Sequence, residues 1–64
     1  MIKFVVVLVL SVGGVEHNID IKTYKAEHVN LCEFQAGQTA RTLTGSEYLK
    51  GATVVSAHCE ARTQ

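Results

Sequence analysis

Residues 1–14 read MIKFVVVLVLSVGG, and this stretch decides how the rest of the chain is interpreted. Lys3 gives it a positive start, Phe4–Leu10 is an uninterrupted apolar run, and small or short side chains follow. A positive start, an apolar stretch of about 7–15 residues and a small-residue exit are the three parts of a secretory signal peptide. The sequence therefore predicts a signal peptide over residues 1–14, cleaved after Gly13 or Gly14.

Three other interpretations of the same stretch remain open. A transmembrane helix is disfavoured, because residues 2–12 at about 1.5 Å each reach about half way across about 30 Å of hydrocarbon. The second interpretation is an uncleaved segment that holds the protein at a membrane. The third is a buried strand in a cytosolic domain, because Val and Ile favour strands and a run of about 4–8 apolar residues is typical of a central strand.

Length and charge exclude several classes of protein. The chain has 64 residues, which allows one domain whose core needs a cross-link for secure stability. Six Lys and Arg balance six Asp and Glu. Nucleic-acid binding requires a basic surface that displaces counterions from phosphates, and this balance does not supply one. We therefore expect no nucleic-acid partner, and membrane contact only through an uncleaved N-terminal segment.

Residues 15–64 are predicted to form one small β-rich domain of the α+β class. Residues 15–24 alternate, with Ile19, Ile21 and Thr23 on one face, which predicts a strand. The other predicted elements are strands at 28–35 and 52–61, a short edge strand within 39–44 and a helical turn at 46–51. We expect a three- to four-stranded antiparallel sheet with one short helical turn. A longer helix over 46–57 is the main alternative.

The two cysteines, Cys32 and Cys59, are predicted to lie on separate strands and to form a disulfide. A cysteine pair that follows an export signal is most simply a disulfide framework. Closing a loop of about 28 residues restricts the unfolded chain by about 3–4 kcal/mol. Two buried free thiols in a cytosolic protein are the alternative.

Zinc is a weaker alternative for the same residues. His28, Cys32, His58 and Cys59 are the right types of ligand. His58 and Cys59 are adjacent in a predicted strand, so their side chains should point to opposite faces. A zinc site and a disulfide also exclude each other at the cysteines. We therefore expect no metal and no cofactor.

No catalytic motif is apparent in the sequence. A nucleophile elbow and a phosphate-binding loop are both absent, and the cysteine spacing is not that of a redox-active pair. We therefore expect a non-enzymatic, exported binding protein, periplasmic or secreted, which acts on a larger envelope or extracellular protein. Its role would be that of an inhibitor, blocker, immunity protein or assembly factor.

The binding residues that sequence reasoning favours are Tyr24, Arg41 and Tyr48, because Tyr and Arg dominate interface hot spots. Two alternatives remain for the protein as a whole. One is a small membrane-held regulator with an uncleaved N-terminal segment. The other is a cytosolic β-domain or oligomer subunit with the N-terminal run as a core strand.

Overall fold

A computed structural model describes residues 1–63 of the chain as one four-stranded antiparallel sheet with a helix on one face. The strands are β1 (Ile2–Val12), β2 (Val15–Lys25), β3 (Glu47–Leu49) and β4 (Ala52–Thr63). A 3-10 turn at Ala26–His28 leads into the α-helix α1 (Val29–Leu43). The order across the sheet is β2-β1-β4-β3, and β1 is antiparallel to both of its neighbours.

The N-terminal run forms the central strand of the sheet. All six residues of Val5–Leu10 are buried, because β1 has a strand on each side and side chains that point alternately to the two faces. The interpretation as a core strand agrees with this arrangement. A separate signal segment is not shown, and cleavage after Gly13 or Gly14 stays a prediction.

Gly13 and Gly14 form the two-residue turn between β1 and β2. Both have positive φ, 58° and 83°, as a type I′ hairpin turn requires. Val12 therefore pairs with Val15, and the register continues along the hairpin to Lys3 and Lys25. The predicted strand over residues 15–24 is confirmed and is one residue longer.

A β-bulge at Ile21 interrupts the alternation of β2. Asp20 pairs with Val7 and Lys22 pairs with Val6, so that Ile21 is the extra residue. The predicted shared face of Ile19, Ile21 and Thr23 is therefore wrong. Ile19 lies opposite Leu8 and Thr23 lies opposite Val5, and these two β1 residues point to opposite faces.

The predicted strands at 28–35 and 39–44 are wrong, because both segments belong to α1. Cys32 and Ala36 are the buried residues of the helix, with Leu43 partly buried on the same side. Their spacing follows the helical repeat. Leu31 and Phe34, whose apolar side chains favoured a strand, are exposed on the outer side. The expected single helical turn is thus corrected to a helix of 15 residues.

The predicted helical turn at 46–51 is also wrong, because these residues form β3 and the turn into β4. Gly45 donates a backbone hydrogen bond to Val54 (2.8 Å), and Val54 donates one to Ser46 (2.9 Å), which ties the segment to β4. The alternative helix over 46–57 is excluded for the same reason. The predicted last strand is confirmed and extends to Thr63.

The core lies between α1 and one face of the sheet, in two clusters. The first cluster joins Leu8, Leu10 and Val54 to Leu43 of the helix. The second joins Val6 to Cys32 and Ala36. Within residues 1–63, no helix is long and apolar enough to cross a membrane.

Candidate binding surface

The sheet face opposite α1 is the candidate functional surface, and we call it the open face. Even-numbered β1 residues such as Val6 and Leu8 pack toward α1, so the odd-numbered residues from Lys3 to Ser11 point the other way. In the described part of the chain, no helix or second sheet covers this side. The open face is therefore available for contact.

Three valines, Val5, Val7 and Val9, run down the middle of the open face. They are only 1, 0 and 8% exposed. Their partners on the neighbouring strands are mostly polar: Thr23, Asp20 and Asn18 on β2, and Glu60, His58 and Ser56 on β4. We infer that these flanking side chains cover the valines, so the open face presents polar groups over an apolar floor.

An ion pair crosses the central strand on this face. Nη1 and Nη2 of Arg62, on β4, donate to the two carboxylate oxygens of Asp20, on β2, at 2.8 and 3.0 Å. Since β1 lies between β2 and β4, the pair spans β1. The bidentate geometry is the one in which Arg and a carboxylate interact most specifically.

Two further residues extend this pair along β4. Nε of Arg62 donates to Oε2 of Glu60 at 2.8 Å, and Nε2 of His58 lies 3.2 Å from Oε1 of the same carboxylate. We call Asp20, Arg62, Glu60 and His58 the polar chain. Their side chains are 34–49% exposed, so each contact contributes little stability. The main effect of the polar chain is to hold the guanidinium in one place.

The polar chain changes the acidity of two of its members. The hydrogen bond from Arg62, and then the one from His58, holds the pKa of the Glu60 carboxyl below its usual range. Hydrogen bonds to Asp20 and then to Glu60 raise the pKa of Arg62. Both groups are therefore charged at neutral pH.

A row of three cations crosses the open face at one end. Lys3 of β1 pairs with Lys25 of β2 and with Arg62 of β4, and all three point to this face. Directly opposed like charges on neighbouring strands are destabilising. Arg62 has acidic partners, whereas Lys3 and Lys25 form no ion pair within residues 1–63. This cation row is therefore suited to an acidic partner.

A shallow cleft of about 640 Å³ opens at the same end of the sheet. Its walls are the start of β1 at residues 1–3 and the end of β2 with the following turn at residues 23–27. Met1 and Ile2 are well exposed there. The cleft adds an apolar recess next to the cation row.

The disulfide lies on the opposite, helix side of the sheet. Cys32 of α1 and Cys59 of β4 are bonded, with their Cα atoms 5.7 Å apart, so the predicted pairing is confirmed. The bond joins helix to strand and not strand to strand, because residue 32 is helical. The alternative with two free thiols does not describe this structure, which contains no free cysteine among its described residues.

The three residues favoured for binding do not form one site. Tyr24 packs beside Phe4 on the helix side, and the Lys22 ammonium lies 5.6 Å from the centre of its ring. Tyr48 is on β3, at the other end of the sheet, and Arg41 is exposed in the last turn of α1. Their role in binding stays a prediction.

The histidines and cysteines considered for zinc do not form a ligand set. His28 ends the 3-10 turn, the two cysteines are bonded to each other, and His58 belongs to the polar chain. Across residues 1–63, no group of three His, Cys, Asp or Glu side chains is placed to hold a metal ion.

Sequence reasoning missed the polar chain completely. Asp20 and Arg62 are 42 residues apart, and no local pattern links them. The alternation of polar side chains at 58, 60 and 62 was the only available signal, since it places them on one face of a strand. Comparison of the chain with protein-family models, with curated proteins and with solved structures finds no match.

Proposed function

We propose that this chain is a small exported binding protein that uses the open face of its sheet to bind a larger envelope or extracellular protein. Its role would be that of an inhibitor, blocker, immunity protein or assembly factor. The observation that carries this proposal is the cation row on an uncovered sheet face. Lys3 and Lys25 have no acidic partner within residues 1–63, and an acidic patch on another protein would supply one.

The geometry supports binding because one cation of the row, Arg62, is already ordered. Arg62 is held by Asp20 and Glu60, so little side-chain freedom remains to be lost when a partner binds. A cationic surface also speeds encounter with an acidic partner and gives specificity through charge complementarity. We therefore expect binding that weakens at high ionic strength.

The disulfide supports export, because such bonds persist in oxidising compartments such as the periplasm or the extracellular space. Removal of residues 1–14 would also remove β1, so the described fold requires that the segment be retained. The intact mass of the protein from its native host, with and without reduction and alkylation, tests both points. Export is supported by an oxidised cysteine pair and contradicted by two free thiols. A mass that starts at residue 14 or 15 would establish cleavage and exclude this fold for the mature protein.

The binding test compares three tagged baits in the native host: the unchanged chain, Lys3→Glu and Lys50→Glu. Lys3 is in the centre of the cation row. Lys50 lies in the turn between β3 and β4, so Lys50→Glu makes the same change of charge away from the cation row. We expect a partner that is retained by the unchanged and Lys50→Glu baits and lost from Lys3→Glu. Equal capture by all three baits would overturn the proposal.

A cytosolic oligomer subunit is the second candidate function, and the position of the N-terminal run as a core strand favours it. It differs from the first candidate in the state of the thiols. In the cytosol the protein would carry free cysteines, and the intact mass described above would show them.

A further inference from the structure

The outer edge of β2 has no partner strand within residues 1–63. β2 is the first strand in the order and pairs only with β1. It is 11 residues long, which leaves a long row of backbone groups for another strand. β3, at the other end of the sheet, has only 3 residues and pairs with Ala52 and Thr53, so that residues 55–63 of β4 form a second, shorter free edge. The longest free edge of the described chain therefore lies on β2.

The hairpin geometry identifies which backbone groups on β2 point outward. A two-residue type I′ turn makes Val12 and Val15 a hydrogen-bonded pair, and hydrogen-bonded and non-bonded pairs alternate from there. Residues 16, 18 and 20 therefore direct their N–H and C=O groups away from β1. The bulge at Ile21 shifts the alternation by one residue, so beyond it the outward residues are Thr23 and Lys25.

This outward set is complementary to itself when two copies of β2 run antiparallel. Placing Glu16 of one copy opposite Lys25 of the other also places Asn18 opposite Thr23. Both Glu16 and Lys25 point to the open face, since their β1 partners are Ser11 and Lys3. The two-fold axis then falls beside the bulge, and each dimer contains the Glu16–Lys25 pair twice.

The same pairing relieves the repulsion in the cation row. The row runs from Arg62 through Lys3 to Lys25, and in the dimer Glu16 of the second copy follows Lys25 across the new strand pair. Opposite charges that face each other across strands are stabilising, whereas like charges are not. Charged residues on an edge strand oppose pairing with a strand that lacks complementary charges, and a second copy of β2 supplies Glu16 opposite Lys25 and Lys25 opposite Glu16.

We propose that two copies of this chain form a symmetric dimer by antiparallel pairing of their β2 edges, with Glu16 of each copy opposite Lys25 of the other. The two sheets join into one continuous sheet of eight strands. In the dimer Lys25 gains Glu16 of the second copy as an acidic neighbour, while Lys3, at the centre of the cation row, lies two strands away from that carboxylate. The dimer therefore removes one cation from the surface proposed above and leaves Lys3 available to an acidic partner.

The test exchanges the charges of the inter-copy pair and measures the mass in solution by sedimentation equilibrium from micromolar to millimolar protein. We expect the unchanged chain to dimerise. Glu16→Lys alone and Lys25→Glu alone should each weaken the dimer by about tenfold or more, because each faces two pairs of like charges. An equimolar mixture of these two variants should form a mixed dimer, in which both pairs are again opposite in sign.

Two controls separate pairing from general charge effects. Lys50→Glu should leave the dimer unchanged, and Asn18→Pro should abolish it, because proline removes an N–H that points to the second copy. Asn18→Thr keeps that N–H and should dimerise. A monomeric unchanged chain at millimolar concentration would overturn the proposal. Single charge variants that dimerise as tightly as the unchanged chain, or variants that do not recover in the mixture, would also overturn it.

Discussion

The two strands of the N-terminal hairpin have the same length but differ in how far their side chains are buried. β1 and β2 each contain 11 residues and pair along nearly their whole length. β1 buries six consecutive residues, whereas no residue of β2 is fully buried. The difference arises from position in the sheet, since β1 has a strand on each side and β2 has one.

The apolar residues of β1 fit the pattern of a signal peptide as well as that of a central strand. A strand that is buried on both faces needs apolar side chains at successive positions, so it loses the alternation that identifies a strand. An apolar run of that length after a single Lys also has the pattern of a signal peptide. A central strand in a very small domain and a leader are therefore hard to distinguish by composition.

The largest effect is expected from introducing an aspartate into each of the two arms of the hairpin. Leu8→Asp places a carboxylate in the core without a partner, and the cost should exceed the whole stability of a domain this small. Asn18→Asp, on the exposed arm, should change the free energy of unfolding by less than about 0.5 kcal/mol. Urea unfolding followed by circular dichroism measures both. A cooperative transition in Leu8→Asp at the normal midpoint would refute the central position of β1.

The next largest effect on the free energy of unfolding is expected from removing the disulfide that links α1 to the sheet. Replacing Cys32 and Cys59 together by alanine should lower the free energy of unfolding by about 3–4 kcal/mol, because the unfolded chain regains the freedom of a closed loop of about 28 residues. Reduction of the unchanged chain should produce a similar loss, which serves as the control. A loss below about 1 kcal/mol in both experiments would indicate that packing alone holds α1 in place.

The smallest effect concerns the open face and is measured from the loss of stability in acid. The pKa of Glu60 is lowered in the folded state. Its contribution to the free energy of unfolding is therefore present above the ordinary carboxyl pKa and is lost as the pH falls through the lowered pKa. Glu60→Gln should therefore show a shallower fall in the urea midpoint between about pH 5 and pH 2. Glu33→Gln, on the exposed side of α1, should keep the steeper fall. Identical slopes for the two variants would show that the polar chain does not contribute to folding.

The elements that were predicted correctly are those with a clear local pattern. β2 and β4 alternate polar and apolar residues, and two cysteines after an apolar start favour a disulfide. The helix was missed because Leu31 and Phe34 supply apolar residues on its exposed side. Cys32 and Ala36 alone gave too weak a helical signal on the buried side.

The amino-acid sequence by itself determined the strands on either side of the cysteine-bearing helix and the cross-link between Cys32 and Cys59. These features depend on local alternation and the chemistry of two side chains. Only the tertiary structure decided that the apolar start is the central strand, and that Asp20 meets Arg62 across it. The reason is that burial on both faces and contacts over 42 residues depend on which strands become neighbours, and no local pattern carries that information.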